Sequence, residues 1–200
     1  MHNFRLSPSV QLSMLLVIII FSGCLGQSKP VSFYILKPIK DHKNIQPASK
    51  QIDTLGIGPI ILAKYLDRPE IVTRLGDNRA KINDFHQWMG PLKDNISNVL
   101  VENFATLLQP GRIVRFPWRK STGVNRQIQL TIYRLDVNSK NVVLVADWWT
   151  GNPGNASTGN SHHSIIQSPV QKDDYEARVS AINDTVNKLS VEIASTILQQ

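Results

Sequence analysis

The chain has 200 residues, a formal charge of +7, 42% hydrophobic residues and one cysteine. That balance excludes a disordered tail and a disulfide-stapled scaffold, and it suits one packed domain of ordinary size. The basic excess favours anionic partners, but the basic residues are scattered from Lys29 to Lys188 and no nucleic-acid motif accompanies them, so no nucleic acid is expected.

At the amino end, "LSMLLVIIIF" from Leu12 to Phe21 is about half the roughly 20 residues that a spanning helix needs. Arg5 before it and the small pair Ser22 and Gly23 after it complete the three-part pattern of a secretory signal over residues 1–23. Cys24 comes next. "FSGC" resembles the bacterial lipobox, with Phe21 where a leucine is usual, and the resemblance implies that Cys24 is the lipid attachment site and the new, acylated terminus. An ordinary signal peptide followed by a free cysteine is the alternative. Each buried methylene contributes ~0.8 kcal/mol, so several palmitate-like chains hold where one would not. Leu25 stands where an Asp retains enteric lipoproteins in the inner membrane. That difference implies the periplasmic face of the outer membrane.

Residues 24–50 read as a lipidated tether, a first strand in the alternating "VSFYIL" at Val31 to Leu36, and a linker; residues 51–200 hold the rest of a domain running from about 31 to 200. "IDTLGIGPIIL" predicts a strand bent at Gly58 and Pro59. Glu70 to Leu75 and Arg79 to Asn83 flank Gly76, Asp77 and Asn78, a hairpin signal. Trp88, Leu92, Ile96, Val99, Leu100, Asn103, Phe104 and Leu107 recur at helical spacing, with Pro91 near the first turn and Gln109, Pro110 and Gly111 at the end. Residues 112–168 read as a meander: "RIVRFPW", Arg126 to Val137, Asn141 to Thr150 and Ser161 to Ser168, the last two joined through the loop "GNPGNASTGN". Tyr175, Val179, Ile182, Val186, Leu189, Ile193 and Ile197 form a second helical stripe that must dock on the sheet. The expected fold is α+β, a mostly antiparallel sheet with two long amphipathic helices packed on it in a single domain.

Catalytic signals are thin. "GIGPII" has Ile61 in place of the third glycine of a dinucleotide loop. His162 and His163 are adjacent on a strand and so point to opposite faces, which keeps them off one metal ion. Asp147, before Trp148 and Trp149, is the one carboxylate in a suggestive setting, and an edge carboxylate beside a core tryptophan explains it equally. No catalytic residue, metal or cofactor is assigned, and the chain is not expected to be an enzyme. Two stretches have the composition of contact surfaces. Arg112 to Arg126 carries five basic residues and no acidic one, interleaved with Phe116 and Trp118, which suits headgroups, an acidic partner or a plain solvated loop. In "YLDRPEIVTR", from Tyr65 to Arg74, Arg68 and Pro69 sit between strands, as a contact or as loop packing.

"LGIGPIILAKYLDRPEIVTRLGDNRAKINDFHQWMGPLKDNISNVLVENFATLL" is similar to the ABC-type transport auxiliary lipoproteins, the PqiC/YmbA-like group. A glycine-broken strand leads there to a Y-L-D-R-P-x-I-V-T-R segment, a W-x-x-P-L helix start and a V-L-x-E-N-[LF] helix end. "YIL" at 34–36, "FPW" at 116–118 and "VADWW" extend the likeness over nearly the whole mature chain, the polar loop from Thr150 to Asn160 departing from it. The resemblance implies a non-enzymatic periplasmic accessory. Its partners would be a mammalian-cell-entry (MCE) domain protein, PqiB-like, and the inner-membrane component of the same lipid-transport system. A homo-oligomer is left open. Candidate contacts to a partner or to headgroups are Arg68, Arg115, Trp118, Arg119 and Lys120. A structural lipoprotein that assembles an outer-membrane protein or lipopolysaccharide machinery is the alternative.

Overall fold

The computed structural model describes residues 7–9, 29–40 and 52–199, without side chains at 156–158. The apolar run of the leader, Cys24 and the stretch 41–51 lie outside the described residues. Val31–Gln200 forms a unit of its own, separate from Met1–Pro30. In chain order the elements of this larger unit are β1 (Ser32–Tyr34), β2 (Thr54–Leu62), β3 (Glu70–Arg74), β4 (Ala80–Trp88), α1 (Leu92–Leu108), β5 (Arg112–Arg115), β6 (Arg126–Val137), β7 (Asn141–Asn152), β8 (Asn155–Pro169) and α2 (Tyr175–Leu198), with short 3-10 turns at Lys64–Leu66 and Lys120–Thr122.

The strands form a five-stranded sheet, ordered β5-β2-β6-β7-β8, and a three-stranded sheet, β1-β4-β3. The long pairings β6 with β7 and β7 with β8 are antiparallel, as is β3 with β4. β1 runs parallel to β4, and β2 parallel to both β5 and β6. The fold is thus the expected α+β arrangement, with its two helices packed on each other and on the larger sheet. β5 pairs with β2 and not with β6, so the meander starts at β6. Parallel neighbours need a crossover, and α1 supplies it between β2 and β5.

Side-chain alternation places the core. Val142, Leu144, Ala146 and Trp148 of β7 are buried toward the helices, against Ile96, Val99, Leu100 and Phe104 of α1 and Ile182, Val186, Leu189 and Ile193 of α2. Two bulges reset that alternation. In β2 the register passes from Ile57 opposite Ile128 to Ile60 opposite Leu130, one residue more on β2 than on β6, so Leu55, Ile57 and Ile60 all reach the core despite their odd-to-even switch. Gly58 has φ +109 there, a region that only glycine enters freely, and the freed Gly58 carbonyl accepts a hydrogen bond from Gln127 Nε2 at 2.7 Å. In β6 the extra residue is Tyr133, between Ile132 opposite Ala146 and Arg134 opposite Val145. Ile128, Leu130 and Ile132 therefore hand over to Leu135 and Val137.

Three further expectations change. Trp88 is not on a helix: it ends β4, buried, and α1 starts only after the corner at Met89, Gly90 and Pro91. The glycine-rich stretch after Thr150 is no open loop, since β7 and β8 stay paired to Asn152 opposite Asn155. Its glycines seat Trp149, whose indole lies 2.5 Å from where a Cβ on Gly151 would be and 2.1 Å from one on Gly159. The run "FPW" leaves the sheet after Arg115.

After β1, residues 35–39 run without regular strand partners, and backbone N–H groups there need acceptors. Asparagines supply them from both helices. Leu36 N donates to Asn95 Oδ1 at 3.4 Å, Lys37 N to Asn183 Oδ1 at 2.9 Å and Ile39 N to Asn103 Oδ1 at 2.8 Å. The fully buried Asn103 also donates to Asn187 Oδ1 and Ser190 Oγ, both at 2.9 Å, tying α1 to α2.

Candidate functional site

The segment Tyr65 to Arg74 turns from β2 into β3 and builds one wall of a groove of about 380 Å³ at the seam between the two sheets. Val72 and Ile82 of the hairpin and Leu135 and Val137 of β6 line its apolar part, and Arg68, Arg74 and Arg79 line it with charge. Tyr65 also lines it, its hydroxyl accepting Leu135 N–H at 2.9 Å, and burial raises its pKa. Arg74 Nε donates to Asp136 Oδ1 at 2.7 Å and Arg74 also reaches the Asp77 carbonyl, while Arg134 approaches the other Asp136 oxygen at 3.4 Å. The hydrogen bond to Asp136 raises the Arg74 pKa further. Arg68 Nε donates to Glu70 Oε2 at 2.8 Å; that bond, first among the causes, holds the Glu70 carboxyl below the ordinary range. The groove offers guanidinium groups above an apolar floor. The carboxylates of Asp77 and Asp136 line it as well.

The basic stretch lies elsewhere. Arg115 hydrogen-bonds Asn98 Oδ1 on α1, and with Phe116 it lines a concavity of about 500 Å³ alongside Lys93, Asp94 and Ser97. Trp118 is turned inward: its indole sits 2.6 Å from where a Cβ on Gly56 would be, edge-on to Phe116 with centroids 5.5 Å apart. Arg119 and Lys120 are exposed at the 3-10 turn beyond. Arg115 and Phe116 thus share one concavity, Arg119 and Lys120 come next along the chain, Trp118 serves as their support, and Arg68 belongs to the other groove. Composition alone did not single out Arg74, Arg79 and Asp136 as groove residues. The hairpin and the distant β6 had to be brought together first.

Asp147 stands on the face of the sheet away from the helices. Its carboxylate takes a hydrogen bond from Tyr133 Oη at 3.0 Å and lies 2.6 Å from His163 Nδ1, and the bond to His163 lowers its pKa most. His162 is on the opposite face, as adjacency on a strand requires, stacked on Trp148 with centroids 4.0 Å apart. Trp148 Nε1 donates to Ser164 Oγ at 2.9 Å, and Ser164 donates to Glu192 Oε1 at 2.6 Å. Among the described residues no three His, Cys, Asp or Glu side chains are grouped to hold a metal ion, and no helix is long and apolar enough to cross a membrane.

The family described as ABC-type transport auxiliary lipoprotein component matches residues 34–194. Among solved structures, an uncharacterized protein aligns with a TM-score of 0.69 at 19% identity, covering 84% of this chain and 99% of its own. A Xanthomonas campestris protein assigned to a domain family of unknown function aligns with a TM-score of 0.65 at 13% identity, covering 84% and 95%. At such identities these likenesses show the fold alone. No curated protein matches the chain.

Proposed function

The chain belongs to the family of ABC-type transport auxiliary lipoprotein components, and from that premise we propose that it is a non-enzymatic accessory of an MCE-type, Pqi-like lipid-transport system. Membership in a lipoprotein family implies a membrane-anchored place in a cell envelope. The finer reading is that acyl chains on Cys24 hold the domain at the periplasmic face of the outer membrane, where it receives the tip of the MCE conduit.

The observation that carries the docking role is the arginine-lined groove. The most family-like run of the sequence, Tyr65 to Arg74, is folded into the wall of an open, half-apolar cleft. Arg68 lines that cleft while its Nε holds Glu70. The Asp136 carboxylate of the lining is taken up by Arg74 and Arg134. Arg68 engages the partner there. Arg115, Arg119 and Lys120, propped by Trp118, form the second contact.

The test is affinity purification of the protein from membranes, comparing the parent with Arg68→Glu and with Arg115→Glu/Lys120→Glu. An MCE-domain protein recovered with the parent and depleted at least about tenfold with either variant is expected, because reversing a charge in a contact costs more than about 1.4 kcal/mol. Recovery of a β-barrel assembly in its place would transfer the role to outer-membrane assembly, and equal recovery with all variants would remove these basic residues from the contact. Metabolic lipid labelling of Cys24→Ser tests the anchor, with no incorporation expected.

A further inference from the structure

We infer that the outward face of β1 and β4 is a membrane-resting surface that lies on lipid once the chain is tethered. The inference rests on the anchor reading for Cys24 and goes beyond it by assigning the face of the domain that meets the bilayer.

Around β1 the apolar side chains divide between two faces, Ser32 being exposed as well. Tyr34 turns inward to hydrogen-bond His86 Nδ1 at 2.8 Å and Leu36 is buried, whereas Val31, Phe33 and Ile35 point out, Phe33 and Ile35 each 56% exposed. The parallel register sets Ser32 beside His86, Phe33 beside Gln87 and Tyr34 beside Trp88. One step either way brings Val31 beside Phe85 and Ile35 beside Met89, which is 59% exposed. Val31, Phe33, Ile35, Phe85 and Met89 therefore gather on the paired strands β1 and β4 and the residues that flank them. Exposed apolar side chains are ordinary when scattered, but a contiguous group marks a surface that something covers.

Three features commit that face to lipid. Cys24 is seven residues before Val31 in the sequence, and seven residues reach at most about 25 Å, so an anchor at Cys24 keeps β1 within that distance of the bilayer. Residues 31–40 contain Lys37 and Lys40 and no acidic residue, and the two lysines share a concavity with Phe33, Ile35 and the carboxylates Glu176 and Asp184 of α2. Apolar side chains beside lysines, whose stems let the ammonium groups reach anionic headgroups, are the composition of interfacial binding. The backbone behind the face is held, by Asn95, Asn103 and Asn183 over residues 36–39 and by the His86 ring stacked on Tyr175 at 3.7 Å. The face is held in place from behind, and it is distinct from the arginine-lined groove assigned to the partner.

The experiment places the photocrosslinking residue p-benzoylphenylalanine at position 33, 35 or 165 of the full chain, irradiates isolated envelope membranes containing radiolabelled phospholipid, and measures acylation of Cys24 by mass on the same preparations. Ile165, exposed on β8, is the control. Positions 33 and 35 are expected to give phospholipid adducts about tenfold above position 165. Acylated protein with protein adducts at 33 and 35, whether to a second copy or to another partner, or with no lipid adduct above the control, overturns this inference and leaves the anchor standing. Lipid adducts at 33 and 35 on unacylated protein do the reverse. Unacylated protein without adducts overturns both.

Discussion

Replacing Asn103 with leucine keeps the number of side-chain heavy atoms and the branch at Cγ and removes one buried amide from the centre of the helix pair. Three hydrogen bonds go with it: Ile39 N–H to Oδ1 at 2.8 Å, and Nδ2–H to Asn187 and to Ser190 at 2.9 Å each. The consequences differ by partner. Ser190 Oγ keeps its bond to the Val186 carbonyl at 2.9 Å, and Asn187, half-buried, can turn to water. The Ile39 N–H is partly buried, and losing its acceptor costs from an ordinary bond up to that of a stranded donor, about 1–3 kcal/mol. With roughly a further 1 kcal/mol for the bonds to Asn187 and Ser190, the expected loss is about 2–4 kcal/mol. In a domain of this size that lowers the Tm by roughly 5–12 °C. Urea and thermal unfolding read the total, and hydrogen exchange at Ile39 reads the local part, which should accelerate more than exchange in β7. Ser190→Ala, which leaves the Ile39 bond intact, should cost under about 1 kcal/mol. An Asn103→Leu protein within about 0.5 kcal/mol of the parent, or one with unchanged Ile39 exchange, would refute the claim that this amide holds the post-β1 segment down.

Gly56→Ala should push the Trp118 indole off β2, since the new Cβ would lie 2.6 Å from the ring; a loss of about 1–3 kcal/mol is expected, with a red-shifted tryptophan emission to check it. Gly159→Ala should unseat Trp149 in the same way while leaving the Trp118 environment alone, which separates the two by fluorescence in single-tryptophan backgrounds. His86 is stacked on Tyr175 and bonded to Tyr34, and burial, then the nearby Arg178 charge, lowers its pKa. The native protein therefore keeps it neutral where the unfolded chain binds a proton, so stability is full above about pH 6.5 and falls as pH drops toward the lowered native value. A proton NMR titration of the ring should give a midpoint below that of a free histidine, and amide protection in β1 should decline over the same interval. Asp147 has the opposite chemistry: its carboxyl, lowered chiefly by the bond to His163, should titrate below an ordinary aspartate, and His163→Gln should return it toward the ordinary range in a carbon-detected titration.

The two helices and the long antiparallel strands were legible because their signals are local. A stripe such as Val179, Ile182, Val186 and Leu189, or the alternation of Ile128, Leu130 and Ile132, is written within a few turns or one strand and needs no knowledge of the rest. Trp88 shows where local reading fails. It falls at helical spacing from Leu92, and only the corner at Gly90, with φ +91, cuts it from the helix and leaves it on β4. The stretch after Thr150 fails for the converse reason, because glycines that resemble a loop are there to make room for Trp149. Of the candidate contacts, the arginines were visible as composition, but the inward turn of Trp118 depends on Gly56, on a strand far earlier in the chain.

By itself the sequence determined the class of fold, the two helical faces, the separation of His162 from His163, and the family. Each comes from periodicities of two and 3.6 residues or from a contiguous motif. The tertiary structure alone decided which strands run parallel, how the bulges at Gly58 and Tyr133 return the alternation to the core, and that Arg68, Arg74 and Arg79 share a groove with Asp136. Those depend on pairings such as Arg74 with Asp136, 62 residues apart. Contacts at that separation are chosen by the closing of the whole chain and leave no mark in any short window of it.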